Sequence, residues 1–146
     1  QVNGINLFAK GANWIANDDP YKSHNTIALQ DIFRNMRNAN FNMLRVWGGG
    51  TYPSDEFYDL ADKYGILLIS DEVMSGFGRT GKWFGFENHD IVPDMVCMAK
   101  GLTSSYLPLG CLMVSDTIAA KYENTPMMIG LTYNGHPVSL AAALAE

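Results

Sequence analysis

Two residues that close apolar runs carry most of the potential chemistry in this sequence: Asp71 ends "GILLISD" and Lys100 ends "MVCMAK". Continuous apolar runs of this length are typical of strands covered on both faces in a parallel sheet. Ligand sites of open α/β sheets collect at the C-terminal ends of such strands. An aspartate beside a cationic ring nitrogen stabilises its protonated form, and a partly desolvated lysine becomes a nucleophilic amine suited to a Schiff base. Pyridoxal phosphate needs such a pair. Spacing alone favours the plainer alternative, in which Asp71 caps a turn and Lys100 is a solvated strand-end charge.

The intervening "GFGRTGK" spells two nucleotide motifs and satisfies neither. Gly76, Gly78 and Gly81 give GxGxxG, but they begin five residues after Asp71, not at a strand-to-helix turn, and lead into Trp83 and Phe84. Gly76, Gly81 and Lys82 give most of GxxxxGK, but Trp83 stands where a phosphate loop needs Ser or Thr for magnesium. A flexible loop that lets the backbone pass close to another group is the better reading. His24 and His89 fall in polar loops and His136 precedes Pro137, so no base-and-nucleophile pattern forms. Cys97 and Cys111 lie in apolar runs without metal-ligand spacing, so no metal site is expected and reduced thiols in a cytoplasmic setting fit best.

These residues need a scaffold, and the composition allows one. The chain has 146 residues, 47% hydrophobic and 17% charged, enough for one domain with a real core. A net charge of -5 with scattered basic residues argues against nucleic acid and anionic membranes as partners. No apolar run approaches the roughly 18 residues of a membrane span. The chain starts at Gln1 and stops at Glu146 inside an alanine-rich run, so both ends read as cut from something longer.

The pattern alternates helix and strand. Residues 2 to 15 give a β-entry with the turn signal Asn3-Gly4 and a bulge or bend at Gly11. Ile27, Ile32, Phe33, Met36 and Ala39 recur at helical spacing from about Thr26 to Ala39, and "NMLRVWGGG" reads as a buried strand opening into a loop. Ser54 is placed to cap a second helix, with Asp55 and Glu56 in its first turn. Phe57, Leu60, Ala61 and Tyr64 form its apolar stripe before Gly65 ends it. Asp18 and Asp19 read as turn or cap residues. "MVCMA" and "GCLMVS" read as further strands, Ser115 or Asp116 is placed to cap a helix through about Tyr122, and Pro137 opens a last helix. The expected fold is therefore α/β: a mixed, mainly parallel open sheet with helices on both faces, not a closed barrel.

Two resemblances bear on function. Residues 3 to about 68, through "FAKGANWI", "NMLRVWGGG" and "DEFYDLADKYGIL", resemble the start of the (β/α)8 catalytic barrel of glycoside hydrolase family 2, particularly β-mannosidases. Residues from about 66 to 146, through "LLISDEVMSGFGRTGKWF", "IVPDMVCMAKGLTSSYLPLG" and "LTYNGHPVSLAAALA", resemble class III aminotransferases of pyridoxal-phosphate fold type I. The aminotransferase resemblance implies that Asp71 pairs with the pyridine nitrogen, Val73 packs on the ring face and Lys100 is the Schiff-base lysine and proton shuttle. It also implies that Thr132 reaches the cofactor phosphate of the neighbouring subunit in a homodimer. The family's upstream phosphate-binding loop, ring-stacking aromatic and C-terminal small domain have no counterpart in these residues. The glycosidase resemblance would place Arg45, Trp47 and Gly48 to Gly50 at the sugar end of a barrel. Such a barrel takes about 250 residues and needs two carboxylates. The acid/base glutamate of that family follows an asparagine, and the chain has no Asn-Glu dipeptide.

Two families in one chain lead to the expectation of a recombined or designed chimera, a single domain over 1–146 with a seam at about 65–71 and no robust catalysis. On that expectation there is no cofactor, or pyridoxal phosphate if any. The alternative is a pyridoxal-phosphate-binding, weakly transaminase-like protein that takes a small-molecule amino donor. A remnant mannoside-binding surface around Trp47 is the third reading. Apolar Met127, Met128 and Ile129 would seek a partner such as a second copy.

Overall fold

The computed structural model describes residues 9–15 and 26–146. Asn3-Gly4, Asp18, Asp19 and His24 lie outside the described residues. Among the described residues five strands form one sheet in sequence order: β1 (Gly11–Trp14), β2 (Met43–Val46), β3 (Leu67–Asp71), β4 (Met95–Met98) and β5 (Cys111–Val114). The first four are parallel, and β5 returns antiparallel to β4. Helices α1 (Thr26–Asn38) and α2 (Asp55–Tyr64) make the β1–β2 and β2–β3 crossovers. α3 (Asp116–Ala119) and α4 (Pro137–Ala145) follow β5. The sheet is thus open, mixed and mainly parallel, with helices, as the alternating pattern predicts, and no barrel closes.

Strand alternation decides which residues enter the core. Leu44 and Val46 on β2 point to the same face as Leu68 and Ser70 on β3, because their registers pair them. On that face α1 contributes Leu29 and Phe33, and α2 contributes Phe57, Tyr58, Leu60 and Ala61, to one buried cluster. Phe33 is fully buried and meets Phe57 edge to face, with ring centroids 5.2 Å apart. A second cluster forms around Phe86, Val96 and Met98, and Ile91 packs against both. The opposite face carries Met43, Arg45, Leu67, Ile69, Met95 and Cys97, all half-buried among the described residues.

Local chemistry sets the element ends. Gly65 adopts φ 64° and its N–H bonds back into α2, the left-handed stop expected after Tyr64. The Ser54 side chain makes no cap bond, although its carbonyl accepts from the Phe57 N–H. The Ser115 side chain likewise makes no cap bond to α3, which ends at Ala119 and runs on as a 3-10 turn to Tyr122. Gly11 is not a bulge: it pairs in regular register with Met43, and a Cβ there would lie 2.2 Å from the Met43 carbonyl oxygen. Its small size permits close strand approach.

Beyond β3 the chain is held by a buried carboxylate. Glu72 is fully buried, and its two oxygens accept from the Tyr52, Ser70 and Ser75 hydroxyls and from the Gly85 and Phe86 backbone N–H groups, at 2.7 to 3.1 Å. Five donors replace the water this charge gives up. They also join the β2–α2 loop, the end of β3, and both ends of the glycine-rich loop. Tyr58, next to this network, keeps a buried hydroxyl with no hydrogen-bond partner among the described residues.

Three outcomes follow for equilibrium denaturation. Phe33→Ala should cost about 3–5 kcal/mol, the range for truncating a fully buried aromatic. Glu72→Gln should cost about 2 kcal/mol or more, because the new amide N–H2 faces donors while the charge-assisted bonds are lost. Burial, the largest cause, pushes the Tyr52 and Tyr58 hydroxyls well above their ordinary 10.0. A raised folded-state pKa confers stability that is intact below 10.0 and lost as pH rises beyond it. Tyr58→Phe, which removes the unpartnered hydroxyl, should leave neutral-pH stability unchanged or slightly raised and flatten that alkaline loss. A large neutral-pH destabilisation of Tyr58→Phe would contradict the assignment.

Candidate functional site

Asp71 and Lys100 close adjacent parallel strands. Asp71 pairs with Cys97 in the β3–β4 register, and Lys100 follows two residues after Met98, the last residue of β4. The Lys100 amine reaches back to the Met74 sulfur, three residues past Asp71. Lys100 and Val73 line one open cavity of about 590 Å³, together with Met74, Phe77, Arg79 and Ser105. Asp71 borders a separate narrow crevice beside Trp47, Gly48 and Tyr52. The fold therefore gathers three of the sequence-derived residues, Asp71, Val73 and Lys100, at one end of the sheet. Thr132 stands exposed ahead of α4 and does not line the cavity.

The cavity wall is conformationally unusual. Phe77, Lys100, Ser104 and Ser105 have φ of 59°, 45°, 44° and 63°, a left-handed region that residues with a Cβ rarely occupy. All four line the cavity. Strained backbone of this kind persists where the surrounding structure overdetermines it, which points to function. No sequence signal marks these residues, since their types are ordinary. The glycine-rich loop serves as a close-approach element: a Cβ on Gly76 would come within 2.8 Å of the Glu72 carbonyl oxygen.

Asp71 is buried and takes three hydrogen bonds. Its Oδ2 accepts from Arg45 Nη2 at 2.7 Å and from the Gly48 N–H at 3.2 Å, and its Oδ1 accepts from the Val73 N–H at 3.1 Å. Arg45 Nη1 donates to Asn13 Oδ1 at 2.9 Å, so three strands share one polar chain. Gly48 is required by the approach, because a Cβ there would lie 2.0 Å from the Asp71 carbonyl oxygen. Arg45 and Gly48 are thus committed to Asp71, not to a sugar-binding rim. Burial raises the pKa of the neighbouring Cys97 thiol. Arg45 opposes that rise and Asp71 adds to it, so the thiol is a poor nucleophile.

The remaining candidates take structural places. His89 lies 3.3 Å from Asp55 and stacks on Tyr52, and His136 accepts from the Ser139 N–H at the start of α4. Among the described residues no group of three or more His, Cys, Asp or Glu could hold a metal ion, and no helix is long and apolar enough to cross a membrane. Arg45 and Glu72 are the site residues whose roles sequence reasoning missed. The only available signals were an arginine inside a buried strand and a second acid directly after Asp71.

Comparison with known proteins overturns the chimera. Residues 47–146 match the family model for aminotransferase class-III. The putrescine–pyruvate aminotransferase of Pseudomonas aeruginosa is 44% identical over 102 residues, covering 66% of this chain and 22% of that protein. An acetylornithine aminotransferase of Archaeoglobus fulgidus is 43% identical over 101 residues, covering 66% and 26%. The chain thus spans about a quarter of the length of the curated relatives it matches. Among solved structures, an S-selective transaminase from Arthrobacter sp. superposes with TM-score 0.74 at 36% identity, covering 82% of this chain and 28% of the other. A taurine:2-oxoglutarate aminotransferase from Bifidobacterium kashiwanohense, solved with PLP and glutamate, gives 0.73 at 35% identity, covering 90% and 32%.

The family match begins at Trp47 and runs through residues 65–71 without a break, where a seam was expected. β2, α2 and β3 form one continuous crossover across it. Strand–helix–strand words ending in an acid recur in unrelated sheets, so the local similarity to a glycoside hydrolase did not specify a parent. Nothing in these comparisons supports a glycoside-hydrolase portion, an inactive designed chimera, or the expectation of no cofactor. The chain belongs to the class-III aminotransferase family.

Proposed function

We propose that this chain carries the lysine side of a pyridoxal-phosphate-dependent aminotransferase site, acting on a small-molecule amino donor. The observation that carries the reading is the shared cavity of Val73 and Lys100, with Asp71 two residues before Val73 at the neighbouring strand end. The residues fit the group chemically: a buried carboxylate for a cationic ring nitrogen, an apolar side chain for a ring face, and a primary amine facing open volume.

When bound, pyridoxal phosphate supplies an electron sink for the negative charge that develops on the substrate carbon next to nitrogen. Lys100 would hold the cofactor through its Nζ, and as a free amine the same Nζ could carry a proton as a general base. The Asp71 Oδ1, which takes only the Val73 N–H, retains acceptor capacity for the ring nitrogen. Val73 would shield one ring face from water. The exposed Thr132 hydroxyl is available to a phosphate bound mainly by a second copy of the chain, and the exposed Met127, Met128 and Ile129 nearby suit that contact.

Incubating the protein with pyridoxal phosphate should produce a visible absorbance band. Borohydride should then trap the cofactor as a permanent mass increase located at Lys100. Lys100→Ala should abolish both signals. A cofactor adduct that survives in Lys100→Ala, or no adduct in the unmodified protein, overturns the proposal.

A further inference from the structure

The carboxylate assigned to the ring nitrogen already has a cation. Arg45 Nη2 lies 2.7 Å from Asp71 Oδ2, and the guanidinium is anchored at its other end by Asn13 Oδ1 at 2.9 Å. The Asp71 side chain is 6% exposed and the Arg45 side chain 36%, so solvent screens the pair only in part. Two backbone N–H groups, from Gly48 at 3.2 Å and Val73 at 3.1 Å, bond the same carboxylate, one on each oxygen, and orient it independently of Arg45. Arg45 is therefore not needed to aim Asp71. What it adds is charge.

We infer that Arg45 sets the charge Asp71 presents, so that the site favours a protonated ring nitrogen less than a lone carboxylate would. A carboxylate alone offers a full negative charge to a pyridinium; the Arg45–Asp71 pair offers a near-neutral dipole whose positive end repels it. Arg45 is a tuning residue acting through Asp71, and it contacts no reacting atom. This inference rests on the cofactor reading above and adds a residue to it.

The test compares two ligands, pyridoxal phosphate and its analogue with C–H in place of the ring nitrogen, by absorbance titration of the whole chain. The quantity read is the ratio of the analogue's dissociation constant to the cofactor's. Arg45→Met should raise that ratio about tenfold, the order expected for one unit charge a few ångströms away in a half-exposed site. Arg45→Lys should keep the unmodified ratio. Arg45→Gln, neutral but still able to donate to Asp71, should raise it as Arg45→Met does and covers the case in which Arg45→Met fails to fold. Lys100-dependent binding with the same ratio in all four proteins overturns the role of Arg45 and leaves the cofactor reading standing. Absence of binding by any of them overturns both.

Discussion

Asp71 and Glu72 are consecutive carboxylates at the end of β3, and strand alternation sends them to opposite sides of the sheet. Glu72 turns toward the core, where five donors surround it. Asp71 turns to the other face, where Arg45 and two backbone N–H groups meet it. A one-residue slip of β3 would exchange these environments and leave a buried charge among apolar groups. The register of β3 between β2 and β4 is therefore the constraint on which the site depends. The Glu72 N–H, donating to the Cys97 carbonyl at 2.9 Å, extends that register one residue past the strand.

Packing on a single face stabilises this register. α1 and α2 bury Phe33, Phe57, Leu60 and Ala61 against Leu44 and Val46, which fixes β2 and, through it, Arg45 and Gly48. The second cluster, around Val96 and Met98, fixes β4 and thus the start of the Lys100 turn. The two clusters meet at Ile91, so the strand ends that carry Asp71 and Lys100 are set by separate but touching cores. The apolar residues of the opposite face, Met43, Leu67, Ile69 and Met95, stay half-buried, because the helices α1 and α2 pack on the other side.

Family membership and local geometry address different questions. Membership places residues 47–146 in one family. It does not explain the ion pair at Asp71 or the left-handed cluster of Phe77, Lys100, Ser104 and Ser105. Those are properties of this chain's packing.

Much was legible in the sequence for physical reasons. Apolar periodicity separated strands from helices, Gly65 and Pro137 marked helix limits through their backbone preferences, and the two strand-end residues stood out because a charge ending an apolar run needs a partner. The seam was misread because local words report local structure, and unrelated sheets share them. Only the tertiary structure decided which face each acid takes, that Arg45 spends its charge on Asp71, and that Lys100 opens onto a cavity with Val73. These depend on strand order and register, which bring together residues 23 to 32 positions apart, and no short-range pattern encodes that distance.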